Sequence, residues 1–240
     1  MRASDRASPG PNMMFGNAEP PREVRRILEA LEQPDWTNIA AFSRQVEAPL
    51  RALGSDPEHL LWLIDRARRT PRLRAMAERF DYISQIVLSD ELKAGYRLRL
   101  HIYGDVQHDW PHNHRWPLAN LLLHGRLTQS AYDPCVIDQC EGGARNLRPV
   151  IVTERRAGDF YALREDVVDV VLGAPGSIAL LVRGPAVRDE FIMFDRGADR
   201  WWTRRGAAQE SRAELAAKVI PEAVFDTLFD HVRKSLHRHA

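Results

Sequence analysis

The chain has 240 residues, of which 44% are hydrophobic and 28% are charged, a balance typical of a soluble globular protein. Its 34 lysines and arginines nearly cancel its 33 aspartates and glutamates, so no overall field favours a nucleic-acid partner. The sequence contains no apolar run long enough to span a bilayer and no signal-peptide core, so we expect a cytoplasmic protein with no nucleic-acid and no membrane partner.

The first third of the chain predicts a tail followed by helices. Residues 1–20 are rich in Ser, Pro, Gly, Asn and Met without periodicity, which predicts a disordered tail. Apolar residues then recur at helical spacing over residues 21–81, which predicts an N-terminal helical region packed on the rest of the protein. We expect Asp35 or Thr37 to cap the second helix and Pro57 to open the third.

From residue 82 to about residue 204 the hydrophobic period is two, and turn residues recur at short intervals. Many short strands with glycine turns predict a sandwich or a barrel. The candidate strands are 84–89, 96–103, 112–123, 126–132, 148–155, 159–163, 167–172, 176–183 and 190–195. An amphipathic stripe then predicts a C-terminal helical segment within residues 205–240.

Two cysteines, Cys135 and Cys140, are the only ones in the chain. A disulfide closing the short loop between them is one option, but two free thiols in a reducing compartment are the expected state. Two cysteines without a further Cys or His pair at finger spacing are a weak signal for zinc.

The pair His112 and His114 is the strongest chemical signal. Residues i and i+2 of an extended strand project to the same side, so two imidazole nitrogens can face one divalent metal. Such a site needs a third ligand, for which the candidates are Asp169, His101, His108 and His124. Asp169 is favoured because it interrupts a β-branched run, where a buried unpaired carboxylate would be costly and a metal cation would offset the cost. The alternative is an outward-facing Asp169 or one paired with an arginine.

The stretch around these histidines resembles the first conserved box of the cupin superfamily, a glycine followed by H-x-H and closed by a second glycine. Gly104, His112-Asn113-His114 and Gly125 stand in that order here. Residues 158–177 resemble the second box, and Asp169 falls close to the position where a histidine is expected. Residues 82–204 therefore look like a cupin barrel of the metal-dependent kind related to thiol dioxygenases.

Two departures from the family pattern matter for the chemistry. The usual glutamate, four or five residues after the second histidine, is replaced by Leu118 and Ala119. The second-box histidine is replaced by Asp169. What the resemblance leaves is a set of two histidines and one carboxylate, the ligand set of non-haem Fe(II) oxygenases.

The resemblance implies a mainly β protein with flanking α: a cupin-type β-sandwich or jelly-roll barrel with an N-terminal helical region and a C-terminal helix. It implies a mononuclear Fe(II)-dependent oxygenase with O2 activated at His112, His114 and Asp169, acting on a small polar or anionic substrate. Zn, Mn or Ni could replace Fe(II), the need for 2-oxoglutarate is open, and a homodimer is expected by resemblance. A non-catalytic cupin that binds a small ligand or a partner protein, and a metal-dependent isomerase or lyase, are the alternatives.

The polar residues of strand 96–103 are candidates for substrate binding. Arg99, His101 and Tyr103 alternate with aliphatic residues, so one face of the strand is polar and either lines the pocket or faces water. On an inner face, Arg99 would hold a substrate carboxylate through bidentate hydrogen bonds and His101 would contact the substrate. Tyr161 could direct its hydroxyl into the pocket. Arg183 either binds an anionic substrate group or pairs with Asp189 or Glu190.

Overall fold

The computed structural model describes residues 19–32, 34–91, 95–133, 144, 147–205 and 210–237. Most of the predicted tail and both cysteines lie outside these residues. The helices are α1 (Arg22–Ala30), α2 (Ile39–Gly54), α3 (Pro57–Arg69), α4 (Pro71–Ala75), α5 (Arg212–Lys218) and α6 (Glu222–Leu236). The strands are β1 (Glu78–Arg79), β2 (Ile83–Glu91), β3 (Tyr96–Tyr103), β4 (Leu118–His124), β5 (Arg126–Tyr132), β6 (Pro149–Arg156), β7 (Phe160–Leu163), β8 (Val168–Gly173), β9 (Ile178–Arg183), β10 (Glu190–Asp195) and β11 (Arg200–Arg205).

The strands form a large sheet, a small sheet and a hairpin, with every pair antiparallel. The large sheet has the order β1-β2-β3-β9-β4-β7, the small sheet has the order β6-β5-β8, and β10 pairs with β11. Strand β9 lies between β3 and β4, so spatial neighbours are distant in the chain, as in a jelly roll. This topology, with the helices at both ends of the chain, confirms the predicted class of a mainly β barrel with flanking α.

The segment around His112 joins the small sheet to the hairpin. His112 pairs with Asp169 of β8 on one side and with Met193 of β10 on the other. On the β8 side the two residues exchange both backbone hydrogen bonds, each at 3.0 Å. Residues paired in this way carry their side chains on the same face of the sheet. The register therefore places His112 beside Asp169.

The outer face of the large sheet is covered by helices. Leu98, Leu100 and Ile102 of β3 are buried there in one apolar cluster with residues of the helices. Burial of these side chains is favourable at about 25 cal/mol per Å² of apolar surface removed from water. Because side chains alternate along a strand, the polar residues of β3 face the interior between the two sheets. The helical part of the chain thus determines which face of β3 lines the cavity.

One predicted strand is shorter than the sequence suggested. Residues 112–123 were expected as one strand, but β4 begins only at Leu118. Pro111 and Pro117 flank the histidine segment, and proline cannot donate a hydrogen bond to a neighbouring strand. His112 consequently makes isolated bridges instead of belonging to a continuous strand. Strand β11 was not predicted at all.

The helix ends also differ in detail from the sequence expectation. Helix α2 is capped by Asn38, whose side chain accepts a hydrogen bond from the backbone of Ala41. Asp35 instead accepts from the backbone and the hydroxyl of Thr37, forming a turn before the helix. The C-terminal stripe is divided into two helices at Pro221. Within the described ranges, no helix combines the length and apolarity needed to cross a bilayer.

The glycine after β4 gives a test of this packing. Gly125 has φ +86 and Gly158 has φ +93, so alanine is strained at both positions, by about 1–2 kcal/mol. A Cβ at Gly125 would lie 2.2 Å from Ser177 Oγ, whereas nothing lies within 4 Å of one at Gly158. We expect Gly125→Ala to lower the free energy of unfolding by about 1–3 kcal/mol more than Gly158→Ala, measured by chemical denaturation. Equal losses would show that Ser177 does not pack against this turn.

Candidate functional site

A cavity of about 150 Å³ lies between the two sheets. Six of the eight residues predicted for the site line it: His101, Tyr103, His112, His114, Tyr161 and Asp169. The other two, Arg99 and Arg183, line an adjoining cavity of about 440 Å³. His101, His112 and His114 line both cavities, which are therefore neighbours. The polar face of β3, whose direction the sequence left open, faces the interior.

Asp169 is 2% exposed, and both of its carboxylate oxygens have partners. Oδ1 lies 3.0 Å from His114 Nε2, and Oδ2 accepts a 2.8 Å hydrogen bond from Gln129 Nε2. Burial by itself raises the pKa of Asp169, but the hydrogen bond and charge of His114, aided by His112 and Gln129, outweigh it and lower that pKa. The hydrogen-bond partners of the carboxylate are therefore a histidine and an amide. This differs from both alternatives drawn from the sequence, an outward-facing Asp169 and an Asp169 paired with an arginine.

Gln129 and Arg155 extend this pairing into a chain of hydrogen bonds. Gln129 is 4% exposed, and its Oε1 accepts a 2.8 Å hydrogen bond from Arg155 Nε. The Arg155 guanidinium also lies 4.2 Å from the centre of the Tyr161 ring. No sequence motif points to either residue, because Gln129 is brought beside Asp169 only by the pairing of β5 with β8.

The hydrogen bonds of His112 define its tautomer. Nδ1 lies 2.9 Å from the carbonyl oxygen of Trp110, and a carbonyl can only accept, so the proton is on Nδ1. Burial, with the neighbouring His114, lowers the pKa of His112 and favours the neutral ring. Nε2 is therefore the unprotonated nitrogen, and a histidine that donates Nδ1–H to a carbonyl is oriented as metal-binding histidines usually are.

The three predicted ligands fit a divalent cation in residue type and in placement around one cavity. His114 and Asp169 leave no space for an ion between them, because Nε2 of His114 and Oδ1 of Asp169 are hydrogen-bonded to each other. Among the residues that the structure describes, no group of three or more His, Cys, Asp or Glu side chains is arranged to hold a metal ion. Binding of a cation would require the His114–Asp169 hydrogen bond to be exchanged for bonds to the metal.

The other candidate ligands occupy three different environments. His101 is 8% exposed and its Nε2 lacks a hydrogen-bond partner. His108 stacks on Trp110 at 4.1 Å between ring centres and lies 3.0 Å from an oxygen of Asp81, so it is packed at the cavity wall. His124 lines neither cavity.

The predicted substrate-binding residues also differ in their partners. Arg99 donates Nη1 to Gln85 at 2.8 Å. Arg183 donates Nη1 to the carbonyl of Gly184, and its guanidinium lies 4.4 Å from the centre of the Trp116 ring. The alternative that Arg183 pairs with Asp189 or Glu190 is wrong, because Glu190 pairs with Arg205 and no carboxylate in the described ranges bonds Arg183.

Two of the tyrosines that line the first cavity, Tyr103 and Tyr161, hold their protons. Burial raises the pKa of both Tyr103 and Tyr161, with the charge of Asp169 adding to the effect. Each hydroxyl can therefore donate a hydrogen bond into the cavity at neutral pH, and neither acts as a base.

No known family model matches the sequence, and no curated protein sequence matches it. Solved structures with related folds include an RmlC-like cupin from Shewanella frigidimarina, with 13% identity over 47% of this chain and 86% of that chain, at a TM-score of 0.34. The two-sheet topology of the chain itself, with the H-x-H segment bridging β8 and β10, is that of a jelly-roll barrel.

Two further solved structures are similar to part of this chain. The ribosomal oxygenase YcfD from Escherichia coli, in complex with cobalt and succinic acid, matches 55% of this chain and 29% of its own at 15% identity and a TM-score of 0.32. Drosophila melanogaster CENP-C bound to CAL1 matches 52% of this chain and 92% of its own at 16% identity and a TM-score of 0.35.

The buried imidazole of His101 gives a pH-dependent prediction. Burial, with the charge of Arg99, lowers the pKa of His101 to about 3, below the ordinary 6.5 of the unfolded chain. Between these values the unfolded chain binds a proton that the folded protein does not, so the free energy of unfolding falls as the pH falls. His101 should contribute about 1.4 kcal/mol per pH unit to this slope, so the slope of His101→Gln should be smaller than that of the wild type by about that amount, as measured by denaturation from pH 6.5 to 4.

The control for that measurement is His237→Gln, at the exposed C-terminal end of α6. It removes one histidine without touching either cavity. If His101→Gln keeps the wild-type slope, the imidazole is not held neutral by burial.

Proposed function

We propose that this protein is a mononuclear, non-haem Fe(II)-dependent cupin oxygenase that acts on a small anionic substrate. The observation that supports it is the register of the small sheet, which sets Asp169 directly beside His112 and within hydrogen-bond distance of His114 at the wall of one cavity. Two imidazoles and one carboxylate on one face leave coordination positions open, and Fe(II) held there would supply the site at which dioxygen and substrate meet.

The residues around the proposed ligands orient them. The carbonyl of Trp110 holds the proton of His112 on Nδ1, which leaves Nε2 as the donor nitrogen. Gln129 fixes Asp169 through Oδ2, so the carboxylate keeps its orientation when Oδ1 changes partner. His114 would lose its hydrogen bond to Asp169 when a metal binds. The free energy of that hydrogen bond would reduce the net free energy of metal binding.

The remaining polar groups of the first cavity would contact the substrate and dioxygen. Tyr103 and Tyr161 stay protonated and donate hydrogen bonds to developing negative charge. His101 is neutral and has an unpaired Nε2, so it can accept or donate one hydrogen bond from the cavity wall. The aromatic side chains of Tyr82, His108 and Trp110 pack at the wall and limit the access of water.

A second candidate is a metal-free cupin that binds a small anion without reaction. The closed His114–Asp169 hydrogen bond favours it, since both groups are satisfied without a cation. The two functions differ in a simple measurement, the binding of Fe(II) to the full chain.

Anaerobic titration with Fe(II) tests the proposal. We expect about one iron per chain in the wild type and a loss of affinity of at least about 100-fold in His112→Ala and in Asp169→Asn, because ligand loss exceeds the 10–100-fold typical of second-sphere changes. Nitric oxide, which binds open positions on Fe(II) as dioxygen does, should give an iron–nitrosyl EPR signal in the loaded protein.

The matched control is His124→Ala, which removes the histidine at the end of β4. That histidine lines neither cavity, and the variant should keep the wild-type iron content. A wild-type chain that takes up no iron would overturn the oxygenase in favour of the metal-free anion binder. Iron binding without a nitrosyl signal would leave a metal site with no open position, and would also contradict an oxygenase.

A further inference from the structure

The second cavity is rich in positive charge. Seven of its lining residues are arginines or lysines and three carry carboxylates. On its floor, Arg97 of β3 stands directly opposite Arg183 of β9, and Arg99 follows two residues along β3 on the same face. Like charges that face each other across a strand pair destabilise a sheet. Asp90 compensates the charge of Arg97, which leaves the charges of Arg99 and Arg183 to be balanced.

Three of these cations have no carboxylate partner within the described ranges. They are Arg99, Arg115 and Arg183. The buried Nε atoms of Arg99 and Arg183 have no hydrogen-bond partner among the residues that the structure describes. Burial, followed by the charge of Arg97, lowers the pKa of Arg99 to about 10, and burial lowers that of Arg183 to about 9. Both guanidinium groups are therefore still charged at neutral pH.

The neighbouring Asp90 shows how a structural arginine is satisfied in the same sheet. Asp90 is 6% exposed and accepts hydrogen bonds of 2.8 Å from both Arg72 and Arg97. Its oxygens are thereby occupied, and Arg183 and Arg99 have no comparable acceptor. Their orientation is nevertheless defined: Gln85 holds Arg99, and the Trp116 ring lies under Arg183. The donors are oriented before any ligand binds, which is typical of a binding site.

We propose that the second cavity binds a doubly charged tetrahedral oxyanion, the phosphate monoester group of the substrate, between Arg99 and Arg183. This inference rests on the proposed function and names its substrate class. A phosphate offers three terminal oxygens and two charges, so it can accept from two guanidinium groups on different strands. A carboxylate can also bridge two arginines, as Asp90 does, but its single negative charge would leave one of the two guanidinium charges unbalanced. Because the histidines line both cavities, the rest of the substrate would extend into the first one.

Calorimetric titration of the metal-free full chain with inorganic phosphate tests this proposal. The comparison ligand is acetate, at the same ionic strength and pH. We expect phosphate to bind more tightly than acetate, and we expect Arg99→Gln and Arg183→Gln each to weaken phosphate binding by about tenfold or more. Both variants should melt at or above the wild-type temperature, because each substitution relieves repulsion between buried cations. Weaker phosphate binding together with an unchanged or raised melting temperature would show that a ligand contact, and not the fold, has been lost.

Arg164→Gln is the matched control, because Arg164 is exposed, pairs with Asp166 and lines neither cavity. It should leave phosphate binding unchanged. Equal affinity for phosphate and acetate, or an equal loss in Arg164→Gln, would overturn the proposal. The outcome is independent of the iron titration: a chain that binds phosphate but no iron retains the anion site and loses the oxygenase, and the reverse result removes only the anion site.

Discussion

The alternation of side chains along β3 constrains the rest of the molecule. Leu98, Leu100 and Ile102 have to be buried, and the helices provide the only large apolar surface for them on the outer face of the sheet among the described residues. A shift of register by one residue would exchange the two faces. Arg99 and His101 consequently point inward, between the sheets. The polar interior of this barrel follows from the burial of its aliphatic residues.

Asp169 shows that a charged group in this polar interior loses its hydration and needs hydrogen-bond partners in the protein. A carboxylate that is 2% exposed is tolerated only with partners for both oxygens. His114 and Gln129 supply them, and Arg155 in turn orients Gln129. A cation that enters the site competes with one of these hydrogen bonds and keeps the other. The same pairing that stabilises the metal-free protein therefore sets the free energy that metal binding has to exceed.

The sequence predicted the elements whose signal is local. The period of two fixed the bounds of β3, and the H-x-H motif identified the histidines. Asp169 was found because a carboxylate is unusual in a β-branched run. Gln129 could not be found, because an ordinary polar strand residue gains its role only when β5 pairs with β8. The opposition of Arg97 and Arg183 was equally hidden, since it depends on which strand lies beside β3.

The geometry of one strand relates the two cavities. Residues two apart on a strand are separated by about 7 Å, so Arg99, His101 and Tyr103 form a row of about 13 Å from the cationic cavity to the first one. His101 stands in the middle of that row and lines both cavities. His112 and His114 also line both cavities, so a ligand bound by the arginines of the second cavity shares its walls with the proposed metal ligands. The neutral state of His101 also follows from this position. The imidazole is buried, and a positive charge on it would be repelled by the neighbouring Arg99.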